Sequence, residues 1–210
     1  MARNADGRST STGELSARRE AICAAALDLA AAGGNRAVTH HAVDDRLGIA
    51  RGSTSYYYRT RQELLRAAVI HLAATSRREF QAAQQAVERQ PVSIDRAADL
   101  IAGQLDLLLG VRRRDALARY ALAADAAEDE DLRDVLARCL FSVPAATALM
   151  ATSGVPDPEQ AAHDLISLLE GLLFDRLYGS RSRLGIAAGT PAGVADLRAP
   201  VRRWLGVLRG

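Results

Sequence analysis

The stretch "VTHHAVDDRLGIARGSTSYYYRTRQELL", Val38 to Leu65, decides how the whole chain is read. Thr39 offers an N-cap oxygen to a short helix that runs to Arg46, with Ala42 and Val43 facing inward. Leu47, Gly48 and Ile49 form a turn. A third short helix covers about Arg51 to Tyr58, and Thr60 caps a long fourth helix extending to about Arg89, ahead of Pro91. Two short helices joined through a glycine bend are the sequence picture of a helix-turn-helix, whose second helix enters the major groove of DNA.

The second of those helices spends three of the chain's five tyrosines on consecutive positions, although aromatic residues make up only 4% of the sequence. On a helical wheel of about 100° per residue, counted from Arg51, Thr54 and Tyr58 share an inward side. Gly52, Ser53 and Tyr56 lie opposite, with Ser55 and Tyr57 on the flanks. Arg51 can reach a guanine edge or a phosphate, and Gly52 lets the backbone approach DNA closely. Ser53 can hydrogen-bond either, and the Tyr56 and Tyr57 hydroxyls can donate to phosphate oxygens, which fixes position without reading sequence.

Outward from this stretch, strand signals are nearly absent and alanine and leucine dominate, so the fold class is all-α with about nine helices. The first helix runs from about Ser16 to Ala32 and stops at Gly33-Gly34-Asn35. Beyond Pro91, Ser93 caps a helix to Leu109, and the segment 112–127 forms the next, up to an acidic turn at Glu128 to Glu130. Another helix starts near Asp131 and is broken or kinked at Pro144. Asp157-Pro158 opens a helix to about Tyr178, and Thr190-Pro191 repeats that signal for the last helix. The connection from Gly179 to Gly189 is the loosest one. This gives a mobile arm at 1–15, a DNA-binding domain at 16–60, and a second helical domain at 61–210.

Charge supports that division. All 27 basic residues are arginine, and the net charge of +2 hides +5 over residues 1–78 and −3 over residues 79–210. A basic N-terminal part suits a module that meets a polyanion. The first residues lack the apolar stretch of a secretory signal and no apolar run reaches membrane-spanning length, which points to a cytoplasmic protein. Cys23 and Cys139 read as buried thiols. No cofactor is implied.

Residues 16 to about 66 resemble the DNA-binding domain of the TetR family of transcriptional regulators. The family's cap threonine falls on Thr39, its turn glycine on Gly48, its basic-glycine pair on Arg51-Gly52, its inward aromatic on Tyr58, and the basic residue opening helix 4 on Arg61. The resemblance implies phosphate contacts from Thr39, Tyr56, Tyr57 and Arg61, and base-edge contacts from Arg51, Gly52 and Ser53. Three departures stand out. Ala50 replaces the usual serine or threonine cap of the recognition helix, Thr54-Ser55 replaces a leucine-tyrosine pair, and Arg59 replaces a proline. Ser55 keeps a hydroxyl at short reach, and Tyr56 and Tyr57 carry the longer contacts.

A helix-turn-helix module reads pseudo-palindromic sites, so a homodimer is expected. The apolar stripes Leu165, Leu168, Leu169, Leu172, Leu173 and Leu197, Val201, Trp204, Leu205, Leu208 are the candidate interface. The family dimerises through its last two helices as a four-helix bundle. The resemblance further implies a pocket among helices from about Arg61 to Ala151, taking a small apolar or amphipathic effector whose binding releases DNA. Arg119, Tyr120, His71, Gln104 and Cys139 are candidate polar contacts there. Repression is the family default.

Other classes have less behind them. The sequence shows no nucleophile elbow, paired catalytic carboxylates, glycine-rich phosphate loop or metal cluster, which argues against an enzyme. The neighbours His40 and His41 diverge by about 100° on a helix and have no further ligand at suitable spacing, so a metal is not expected. The remaining alternative is a sequence-tolerant DNA-binding protein without an effector.

Overall fold

The computed structural model describes residues 7–85, 93–127 and 129–208. The described residues form ten α-helices: α1 (Gly7–Gly33), α2 (His40–Leu47), α3 (Ser53–Tyr57), α4 (Arg61–Gln85), α5 (Ile94–Leu109), α6 (Arg113–Leu122), α7 (Glu130–Ala137), α8 (Val143–Thr152), α9 (Pro158–Leu177) and α10 (Pro191–Val207). Short 3-10 turns lie at Asn35–Ala37, Ala123–Ala126 and Ser180–Arg183. No strand occurs among the described residues, and no described helix is long and apolar enough to cross a membrane.

Several helix ends follow from local capping chemistry. Ser93, Asp157 and Thr190 each accept a hydrogen bond from the amide three residues on, at Arg96, Gln160 and Gly193. Such a bond satisfies one of the amides that a helix start leaves without a partner. One helix start lies far from expectation. α1 begins at Gly7, well before Ser16, because no proline stands upstream and each added residue costs little once a helix is nucleated. The expected arm at 1–15 is thus helical from Gly7, and residues 1–6 lie outside the described residues, as do Arg89, Pro91 and Glu128. The helix expected from Asp131 with a break or kink at Pro144 is divided into two helices, α7 and α8. Pro144 sits in the first turn of α8, where no amide is needed, and Ser142 caps that turn at Ala145 N, 3.3 Å.

The chain divides into two compact units. The first holds residues 1–78 and 117–139. Its core contains Ile22, Leu27, Val38, Val43, Leu64, Leu72, Leu122 and Leu132. Buried Leu64, Leu65, Ala68, Val69 and Leu72 repeat at helical spacing along the first half of α4.

The second unit holds residues 79–116 and 140–210. α5 packs along α10, α8 along α9, and α5 also touches α9. Gly193, Leu197, Val201 and Leu205 form the buried edge of α10. Pro200 lies inside that helix and cannot donate to the Asp196 carbonyl four residues back. Arg176 supplies the missing donor, with Nη2 bonded to the Asp196 carbonyl at 3.1 Å and also to its carboxylate.

Candidate nucleic-acid interface

α2, the turn and α3 are built around one carboxylate. Gly48 closes α2 in the left-handed region at φ 61°, which removes any Cβ penalty from the bend. Asp44, near the end of α2, is fully buried. Its carboxylate accepts from Gly52 N at 2.8 Å, Thr54 N at 2.8 Å and Thr54 Oγ1 at 2.6 Å. The N-cap position of α3 is Gly52, which has no side chain to cap it, and the Asp44 carboxylate takes the Gly52 and Thr54 amides instead. Burial pushes the Asp44 carboxyl upward, but the Thr54 hydroxyl and amide, the Gly52 amide and nearby His41 outweigh it, so the group is held below its ordinary value.

Gly52 has a different role from the one expected of it. It is the N-cap residue at φ 90°, not part of the helix, and α3 spans only Ser53–Tyr57. A side chain there would be strained in any case, so glycine is required by backbone conformation as well as by exposure. The faces expected from the wheel hold for Thr54, which is buried, and for Tyr56, which is 80% exposed. Arg51, Gly52 and Ser55 are exposed, while Ser53 and Tyr57 are half-buried. Ser53 Oγ donates to the Ala50 carbonyl at 2.5 Å, so its hydroxyl is already engaged. The Tyr56 and Tyr57 rings meet edge to face, with centroids 5.2 Å apart. Tyr58 turns inward, its hydroxyl 3.4 Å from Cys23 Sγ. Burial in that pair raises both groups above their ordinary values and keeps them neutral.

His40, weighed from sequence as a metal ligand, and Glu63, which sequence did not single out, both fix this head. His40 Nε2 donates to the Tyr58 carbonyl at 2.7 Å, holding the end of α3 to the start of α2. Glu63 Oε2 accepts from Arg59 N at 2.7 Å and Thr60 N at 3.3 Å, while Thr60 Oγ1 accepts from Glu63 N at 3.1 Å, a reciprocal capping box. The T-x-x-E spacing was the available signal. For Asp44 the signal was the pair Asp44-Asp45, since two consecutive helical acids cannot share an exposed face.

Arg61 adds to an expectation. Its guanidinium donates to the Val38 carbonyl at 3.0 Å and the Asn35 carbonyl at 2.5 Å, and lies 3.6 Å from Asp125. Asn35 Nδ2 also donates to Asp125, at 2.8 Å. The carbonyls left over in the short turn before α2 engage Arg61, a structural role that the phosphate contact expected of it did not include. Thr39 is exposed and caps α2 at Ala42 N, 3.1 Å. Arg51 and Arg59 flank α3, are exposed, and have no carboxylate partner among the described residues.

The ten expected interface residues divide by burial. Leu165, Leu169, Leu173, Leu197, Val201 and Leu205 are buried in the core of the second unit, which corrects their assignment to a surface for a second copy. Leu168, Leu172, Trp204 and Leu208 keep partial exposure. Of the candidate pocket residues, Arg119 donates to the Leu136 carbonyl at 3.1 Å and Cys139 is buried.

An all-α chain that presents a helix-turn-helix head belongs to the class of DNA-binding regulators in fold. Residues 92–207 match the family model of the tetracyclin repressor-like C-terminal domain. The chain belongs to the TetR family of transcriptional regulators. Among curated proteins, none matches it. Among solved structures, a transcriptional regulator from Rhodococcus sp. Rha1 is similar at 25% identity and a TM-score of 0.71, over 90% of this chain and 95% of that one. A transcriptional regulator from Saccharomonospora viridis in complex with choline has 18% identity and a TM-score of 0.71, over 91% and 96%. The multidrug binding protein EbrR complexed with ethidium has 24% identity and a TM-score of 0.62, over 89% and 98%.

Proposed function

We propose that this protein is a ligand-responsive repressor that binds a pseudo-palindromic operator as a homodimer. The observation that carries the reading is the head itself: α3 is pinned at its start by Asp44 and at its end by His40, and Ser55 and Tyr56 on it, with Arg51 and Gly52 just before it, face solvent. A helix held at both ends keeps its contacting groups in one register, which direct readout needs. Thr39 and Tyr57 lie beside that edge as phosphate contacts, and Arg59 adds a cation next to it. Arg61 acts by holding the turn before α2. Structural relatives solved with choline and with ethidium support a small-molecule effector.

The second copy would meet the parts of α9 and α10 that remain exposed. Phe174 and Tyr178 are 50% and 51% exposed and Val207 is 80% exposed, alongside the partly exposed Leu168, Leu172, Trp204 and Leu208. Selection from a pool of randomised duplexes tests the reading. It should enrich an inverted repeat with half-sites about 10 base pairs apart or a multiple of that. A pool recovered with no enriched sequence would instead support a sequence-tolerant DNA-binding protein and sink the operator reading.

A further inference from the structure

The second unit contains a cavity of about 210 Å³ that the sequence did not announce, formed by the end of α5, the start of α6, the end of α9, the following 3-10 turn and the start of α10. At about 30 Å³ per water it is some seven waters in size, smaller than the pockets that take drug-sized ligands. Its apolar wall includes Leu109, Leu177 and Leu197, and Ile186, 44% exposed, stands on the segment between α9 and α10. That segment is tied down at its far end. Gly189 N donates to both Asp106 oxygens at 2.9 and 3.1 Å, and Thr190 Oγ1 donates to the Ala187 carbonyl at 2.7 Å. A Cβ at Gly193 would collide with that same carbonyl, so the close approach depends on glycine.

The polar lining holds three arginines, Arg113, Arg176 and Arg181, and two carboxylates, Asp106 and Asp196, with Asp175 lying 3.9 Å from Arg181 just outside it. Asp106 is occupied by the Gly189 amide, and Asp196 by Arg176 and Arg181. Arg176 is almost fully buried and committed to Asp196 and the Leu172 carbonyl. Arg113 is exposed at the cavity, and among the described residues its guanidinium has no acceptor. The carboxylates are therefore satisfied from within, whereas the cation is not.

We propose that this cavity binds a small organic carboxylate, its anionic end on Arg113 and its carbon body against Leu109, Leu177 and Ile186. An arginine fork matches a carboxylate in two parallel hydrogen bonds, and Leu109, Leu177 and Ile186 in an otherwise mostly polar lining leave room for a short carbon body. That such a ligand is the effector rests on the regulator reading above. The binding itself does not.

Thermal unfolding of the full chain tests the proposal, with benzoate and hexanoate as probes, benzamide and hexanamide as neutral counterparts, and inorganic phosphate as the bare anion. The carboxylates should raise Tm saturably by a few degrees, since they bind only the folded state. The amides and phosphate should do so at least about tenfold more weakly. Arg113→Ala should weaken carboxylate binding about tenfold or more, as loss of a charge-assisted hydrogen bond does, and leave the ligand-free Tm unchanged. Arg138→Ala, an exposed site in the other unit, should change neither. No shift with either carboxylate, equal shifts with the amides or phosphate, or unaltered binding by Arg113→Ala would each overturn the proposal. Failure of the ligand-free protein to bind DNA would count against the regulator reading alone.

Discussion

Asp44 has the largest structural task of any single residue in the head, because one buried carboxylate serves two backbone amides and a hydroxyl. Asp44→Ala leaves those donors without an acceptor, and urea unfolding should show a loss of about 2–4 kcal/mol. The pH dependence follows from the lowered Asp44 value. Its contribution is fully present above the ordinary carboxylate range near about 4 and is lost as pH falls through the folded value. Urea midpoints for Asp44→Asn should therefore change less between pH 5 and pH 3, at about one unit either side of that range, than those of the wild type. An unchanged acid limb would show that other groups carry it. On the DNA side, Arg51→Ala should alter base preference and flatten the salt dependence by about one phosphate-equivalent charge. Tyr56→Phe removes the more exposed phenol and should weaken all sequences about equally, with no change in salt slope. Anisotropy titrations over a salt series separate the two, and the reverse pattern would refute the assignment of roles.

Among the elements, those whose ends are set by neighbours in sequence were readable in advance. Ser93, Asp157-Pro158 and Thr190-Pro191 opened α5, α9 and α10, because an N-cap is a contact over three residues. The Thr60–Glu63 box at the start of α4 is of the same kind, and Thr60→Ala should cost about 1 kcal/mol in thermal unfolding. Contacts made across the fold left weaker marks. The Asp44 bonds to α3 span eight and ten residues and supply the cap that Gly52, at the N-cap position, cannot. Arg61 reads as a free cation at the start of α4 until the carbonyls of Asn35 and Val38 are seen beside it. The leucine stripe of α9 has the period of any helix with one buried side, and period alone does not separate the chain's own core from a second copy. α8 and α5 pack against it here, and Leu165, Leu169 and Leu173 are buried. The pair Arg176–Asp196 likewise appears only once Pro200 has freed a carbonyl. Arg176→Met should lower stability by about 2–3 kcal/mol in urea unfolding, less than for an isolated buried pair because Arg181 still reaches Asp196.

At the scale of the molecule, the basic excess over residues 1–78 and the acidic excess beyond them suit a chain whose first part meets DNA and whose remainder serves another purpose. If that purpose includes pairing through α9 and α10, Phe174→Glu should yield a folded monomer in sedimentation, with helical content kept and operator affinity lowered at least tenfold or so. The central claim is that the pinned α3 reads sequence, and competition in a gel-shift assay tests it most directly. A labelled fragment from the region upstream of the protein's own coding sequence is challenged with itself and with random duplex at fixed salt. The account predicts that the unlabelled fragment competes about 10³-fold or more better than random DNA. Equal competition by the two would contradict it.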